Sequence, residues 1–378
     1  MINIKSRKAA GLTALFFLAG AFLNGASAAD AAVTDISMNL SECIKLTSLE
    51  KECHAAYEQD SGDAWARIAN NFILRYDAGN QVNGEMFSYI VYSFEKAAQR
   101  GNPQGLFYMS QLYRVGTDRS IAQDRDKALA YLEDAVKKDY PRALALKGFF
   151  QHQGLGGVYL NSREGLELIR EAAENGDAFS ENLMGLITYN GAGVDRDPER
   201  AFRWFEKSAS HGYAAAYNNL GFLHENGVGA EKNPEMAFRF YEKAAKKDLR
   251  EGLLNLGRAY LYGIGVKSDY VKAFPYFERA ADRNLNDAMY LAGWMLHSGY
   301  GVTADLPRGF HYLDKASEVG NVPATALLAD MYEKGEGVAC QPEKAKELRD
   351  AIIETSWHPY NDAAMVPAAL SLPEDFMF

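Results

Sequence analysis

Catalytic and metal-binding centres are built mostly from histidine, cysteine and carboxylate side chains at set spacings. The chain of 378 residues has seven histidines, at 54, 152, 211, 224, 297, 311 and 358. No two have close metal-ligand spacing, and His211 and His224 fall in different predicted helices. No His-Glu-x-x-His, Cys-x-x-Cys, nucleophile elbow or phosphate loop occurs. The expectation is therefore no catalytic residue, no metal and no cofactor.

Residues 1–28 read as a secretory signal peptide. Lys5, Arg7 and Lys8 form a basic start, Leu12 to Leu23 a short apolar run, and Ala26-Ser27-Ala28 a cleavage site. No cysteine stands where a lipoprotein signal needs one, and no later run of about 18 apolar residues could span a membrane. An exported chain follows, in the periplasm or, alternatively, secreted. The formal charge of −10 becomes −13 once the three bases leave. Nucleic acid, which rewards a basic footprint, is not an expected partner.

Three cysteines remain for an oxidising compartment: Cys43, Cys53 and the distant Cys340. On one continuous helix Cys43 and Cys53 would lie about 15 Å apart, too far to bond. A disulfide between them therefore requires a turn near Thr47-Ser48; two free thiols are the alternative. Cys340 is expected to be free.

Glycine-rich loops can also do chemistry by cradling phosphate. Gly191-x-Gly193-Val194 recurs as Gly227-x-Gly229-Ala230, Gly263-x-Gly265-Val266, Gly299-x-Gly301-Val302 and Gly335-x-Gly337-Val338, in steps of 36 residues. Each loop follows a helical pattern rather than a strand, so the glycines read as structural punctuation. A strict period of this length marks a stack of repeated units.

Each unit reads as two helices, A and B, joined by the glycine loop. In helix A, Ser180, Leu183, Met184 and Ile187 have the spacing of a core stripe. Gly185, Gly221, Gly257 and Gly293, with Ala329 last, are expected to let two helix backbones approach. The first loop glycine ends helix A with φ > 0. Asp124, Asn161, Asp197, Asn233, Asp269 and Asp305 are expected N-caps of helix B, a pattern that Gln341 breaks. Phe202, Phe238, Phe274 and Phe310 form an aromatic column, and Pro275 inside one helix B predicts a kink.

The segments "NNLGFLHENGVGAEKNPEMAFRFYEKAAKKD" and "LNLGRAYLYGIGVKSDYVKAFPYFERAADRN" resemble the Sel-one-like repeat family, relatives of the tetratricopeptide repeat. The resemblance covers residues 62–350 as eight units, the first ones degenerate. It implies an all-α fold, a right-handed superhelical α/α solenoid with helix A on the concave side and helix B on the convex side. The expected organisation is a signal peptide (1–28), an N-terminal capping segment (29–61), the solenoid (62–350) and a C-terminal cap or tail (351–378). Cysteine-rich members of this family have been linked to penicillin binding and weak β-lactamase activity. They carry a cysteine pair in each repeat, which this chain lacks, so that activity is not carried over.

Two surfaces are candidates for a partner. On the implied concave side, the face of helix A opposite the core holds Phe149, Phe179, Asn182, Tyr189, Asn218, Phe222, Arg258, Tyr290 and Trp294. Such rings are either anchors for an extended peptide or sugar, or packing between adjacent A helices. On helix B a basic stripe contains Arg200, Arg203, Arg239, Lys243, Arg308 and Lys315. It is either an attractor for a phospholipid or acidic polymer, or a solvated outer face. The reading that follows is an exported non-catalytic scaffold for a protein or peptide partner, in signalling, envelope assembly or a cell-wall enzyme complex. The alternatives are a secreted host-interaction factor and, more remotely, a cell-wall or β-lactam-hydrolysing enzyme. Partner identity and oligomeric state are left open.

Overall fold

Apolar residues at helical spacing become helices along the chain: eighteen α-helices and no strand occur among the described residues. The computed structural model describes residues 38–77, 84–116, 121–153 and 162–356. The expected signal peptide, the expected cap Asn161 and the tail after 356 lie outside them. The chain divides into two compact units, and the division falls between Met184 and Gly185 within one helix, Ala178–Asn190.

The first unit opens with α1 (Leu40–Thr47) and α2 (Glu50–Glu58). Asn39 and Glu42 form a reciprocal capping box at the start of α1. Ser48 ends α1 in the left-handed region, φ 58°. That turn brings the buried Cys43 and Cys53 to a Cα separation of 5.9 Å, and the two are disulfide-bonded. This helical hairpin packs on the next helix through an edge contact of Tyr57 with Trp65, centroids 4.8 Å apart. The helices α3 (Gly62–Asp77) to α8 (Ser162–Glu174) form three A–B pairs: α3 with α4 (Gly84–Gln99), α5 (Pro103–Val115) with α6 (Arg125–Val136), and α7 (Pro141–Gln153) with α8. Rings stack within pairs, Phe72 on Tyr89 and Tyr113 on Tyr131, each with centroids 5.7 Å apart. Between α7 and α8 two backbones meet: a Cβ on Gly148 would lie 2.5 Å from the Gly165 carbonyl oxygen.

The second unit starts within α9 (Ala178–Asn190) and continues through α10 (Pro198–Ser210), α11 (Ala214–Asn226), α12 (Pro234–Lys246), α13 (Arg250–Tyr262), α14 (Tyr270–Ala281), α15 (Asn286–Ser298), α16 (Leu306–Glu318), α17 (Val322–Lys334) and α18 (Pro342–Ser356). The last helix runs past residue 350, where the sequence pattern ended. Asp197, Asn233, Asp269 and Asp305 each accept a backbone N–H three residues on, at 2.9–3.1 Å. The N–H of Lys272 holds the Asp269 carboxyl below the ordinary aspartate range.

The two loop glycines have different tasks. Gly263 caps α13 at φ 75°, its N–H bonded to the Ala259 carbonyl at 2.9 Å. Gly265 combines φ 67° with a close approach: a Cβ there would sit 2.0 Å from the Pro234 carbonyl oxygen of the preceding repeat. Any side chain would be strained by backbone conformation and by collision together.

The helix A glycine column meets the expectation at one position and departs from it at three. At Gly293 the two backbones approach, a Cβ there lying 3.1 Å from the Gly309 carbonyl oxygen, whereas at Gly185, Gly221 and Gly257 the nearest atoms belong to a ring. A side chain from helix B fills the gap: Phe205 at Gly185, Tyr241 at Gly221 and Phe277 at Gly257, with Leu313 at Gly293. Where the ring column reaches Arg349, the glycine column becomes Ala329. The Phe202 column bridges repeats. Phe202 meets His224 of the next A helix, Phe238 meets Tyr260 and Phe310 meets Tyr332, all edge-on at 5.3–5.5 Å. Phe240 and Tyr276 stack on the other faces of His224 and Tyr260, at 5.7 and 5.9 Å. Each such A-helix ring is therefore held between two helices B. Helix α14 is continuous through Pro275. The proline removes the donor that the Val271 carbonyl would have in a regular helix, and Val271 lies on the exposed side of α14.

Candidate functional site

Helix A of each repeat carries the core stripe on one side, and the opposite side was the first candidate surface. The structure divides that surface. Phe149 and Phe179 are each 3% exposed, and Asn182 and Asn218 are also buried. Asn255 Nδ2 donates to Asn218 Oδ1 at 2.9 Å, tying α13 to α11. At Asn218 the reason is geometric: successive A helices pack on one another, α11 with α13 and α15 with α17. Those four residues are core, and an anchor there would have no access to a partner.

Tyr189, Phe222, Tyr290 and Trp294 are half-buried and Arg258 is exposed. Tyr189 meets Phe222 edge-on at 6.4 Å, and Arg196 lies 5.4 Å over the Tyr189 ring. There the rings serve each other. Further along the same unit they open outward. Trp294 lies 5.3 Å from Tyr300, and Tyr300 lies 5.9 Å from Tyr270. Tyr300 is 52% exposed and Tyr262 is 62% exposed. Burial first, and then neighbouring Tyr262, raises the hydroxyl pKa of Tyr290. The stacked repeats thus present an aromatic patch on the edge formed by their glycine loops.

Tyr262, Tyr270 and Tyr300 were not singled out from the sequence. They sit outside the A-helix columns, at a helix end, a helix start and a loop. A signal was present all the same. The helix B start reads Pro198-Glu199 and Pro234-Glu235 in two repeats, and then Tyr270-Val271. An exposed acidic position there becomes valine.

The second candidate surface, the basic stripe, lies on the outer face of helices B. Arg200, Arg203, Arg239, Lys243 and Arg308 are exposed, and Lys315 is half-buried. In the first unit a recess lined by Ser110, Gln111, Arg114, Gln123, Leu132 and Phe150 lies among α5, α6 and α7. Arg114 Nε donates to Gln111 Oε1 at 3.0 Å, and burial lowers its pKa. Among the described residues no group of three or more His, Cys, Asp or Glu is placed to hold a metal ion. No helix there is long and apolar enough to cross a membrane. Cys340 is exposed and in no disulfide, its thiol donating to the Glu333 carbonyl at 3.1 Å.

The model of the Sel1 repeat matches seven consecutive segments: 103–140, 141–177, 178–213, 214–249, 250–285, 286–321 and 322–348. The chain belongs to the Sel1 repeat family. The sequence columns gave eight units; the further one is the α3–α4 pair, stacked on the first matched repeat through Phe94 and Tyr108, 4.2 Å apart. Among solved structures, this Sel1 repeat chain is similar to a protective antigen present in uropathogenic Escherichia coli strains, which displays an SLR fold. Identity is 26% and the TM-score 0.55, over 84% of this chain and 65% of that one. This chain therefore spans less than two thirds of that protein. A Sel1 repeat protein from Oxalobacter formigenes is 23% identical with a TM-score of 0.53, covering 88% of this chain and 94% of that one. No curated protein matches the chain. Sel1 repeats typically mediate protein interactions.

Proposed function

We propose that this Sel1 repeat protein is an exported, non-catalytic scaffold that binds a protein partner through the loop edge and adjoining A helices of its second unit. The observation that carries the reading is the exposed aromatic patch. Trp and Tyr are the residues that most often dominate binding energy at protein interfaces. Leaving such rings in water forgoes burial worth about 25 cal/mol per Å² of apolar surface. The basic, apolar and small-residue order of residues 1–28 supports export. Periplasmic signalling, envelope assembly and cell-wall enzyme complexes are the settings this reading covers. A second reading, a secreted host-interaction factor, draws on the likeness to a protein described as a protective antigen.

Cell fractionation tests export, and the expected result is a chain shortened by the first 28 residues outside the cytoplasm. Its presence in the periplasm or in the medium separates the two readings. Capture from those cells tests the surface. A Trp294→Ala, Tyr300→Ala variant of unchanged helicity is expected to lose a partner that the unaltered chain retains. Undiminished capture would remove the patch from the account, and an unshortened cytoplasmic chain would remove export.

A further inference from the structure

The basic stripe on helices B divides into two halves. Three cations of the later helices B are neutralised: Arg308 pairs with Glu278, Lys272 lies 3.5 Å from Asp269, and Arg279 lies 2.8 Å from Asp248, while Lys315 is half-buried. The earlier cations of the stripe are not. Arg200, Arg203 and Lys207 on α10 and Arg239 and Lys243 on α12 are exposed, and none of them has an ion pair among the described residues. One unpaired surface cation means little. Five on two helices B of consecutive repeats, in a chain of net charge −10, make a local field opposite to that of the whole.

Aromatic rings lie within this field. The Lys207 ammonium sits 4.8 Å over the Trp204 ring, and Lys243 sits 5.3 Å over Phe240. Arg200, Arg203, Trp204 and Lys207 recur at i, i+3, i+4 and i+7 and line one shallow depression. The strip thus offers guanidinium forks suited to carboxylates and, at Trp204 in the depression, an aromatic surface suited to apolar side chains.

The width of the field selects the ligand. Exposed Glu199, Glu206 and Glu235 share the same two helices and confine the positive region to a narrow band. A planar anionic membrane would bring those acids, and the acidic bulk, within a Debye length of about 8 Å, and would be repelled. A nucleic acid carries a phosphate at every step and rewards a broader basic footprint. A polypeptide with carboxylates interspersed among apolar residues fits both features of the strip. We propose that the α10–α12 strip is a docking site for an acidic polypeptide segment of a partner protein. It is separate from the aromatic patch, and its test touches different residues.

The probe is a fluorescein-labelled peptide of repeated Asp-Glu-Leu, followed by anisotropy at rising salt. Phosphatidylglycerol–phosphatidylcholine vesicles and an oligothymidylate serve as competing ligands. Saturable peptide binding that weakens with salt is expected. An Arg203→Ser, Arg239→Ser variant should bind about tenfold more weakly. An Arg279→Ser, Arg308→Ser variant, which removes paired cations, should bind as the unaltered chain does. Circular dichroism melts establish that both variants are folded, as exposed positions allow. Absence of saturable peptide binding overturns the proposal, and so does an equal loss in both variants. Tighter, Arg203- and Arg239-dependent binding of vesicles or oligothymidylate also overturns it, in favour of that ligand.

Discussion

Gly257 shows what a single position decides in this molecule. A Cβ at that residue would fall 2.6 Å from Cε1 of Phe277, a ring with no exposed surface and no room to move. Gly257→Ala is therefore expected to destabilise the second unit by about 1–3 kcal/mol, the usual cost of overpacking. Denaturant melts measure this, and Ala329→Gly is the comparison. That change occurs where Arg349 replaces the ring, and should cost about 1 kcal/mol through backbone freedom alone. A neutral Gly257→Ala would mean that the ring is not held against the helix. The glycine column itself was legible in the sequence, but what fills it was not. Spacing shows that a position is small, whereas a ring from a helix twenty residues later enters the gap only once the helices are packed.

Elements were legible where local chemistry sets them. Asp197, Asn233, Asp269 and Asp305 fix helix starts because a short oxygen acceptor has to reach a free N–H. The first loop glycines fix helix ends because the cap needs positive φ. The turn at Thr47-Ser48 followed from the reach of a disulfide, and Ser48 adopts the left-handed conformation there. At Pro275, where a kink was expected, α14 runs on as one helix with one backbone donor missing. The bonded hairpin of α1 and α2 leads to a prediction at this scale. A Cys43→Ser, Cys53→Ser variant should lose about 2–3 kcal/mol of constraint on the unfolded chain. Because the hairpin caps α3, the loss should be local. Hydrogen exchange is expected to quicken in α1 and α2 and to stay unchanged in α13 to α15. Faster exchange throughout would show that the hairpin supports far more than its neighbour, and unchanged exchange in α1 and α2 would show that the bond contributes nothing.

In the whole molecule, the proposed binding surface is one that no single repeat contains. Reading columns down helix A grouped the half-buried Tyr290 and Trp294 with Phe149, Phe179, Asn182 and Asn218, which are buried. The same reading passed over Tyr262, Tyr270 and Tyr300, because they lie on three different elements and converge only through stacking. A column read from sequence shows which residues share a face but not which faces the next repeat covers. The central claim is that the loop edge of the second unit is where a partner sits. The most direct measurement places a photo-crosslinking residue at Tyr300 in intact cells, with a second chain carrying it at Val319. Val319 is also exposed, at 59%, but lies in the turn at the opposite end of helix B. A partner crosslinked from Tyr300 and absent from Val319 is the predicted result. Crosslinking from Val319 alone, or equally from both positions, would contradict the account.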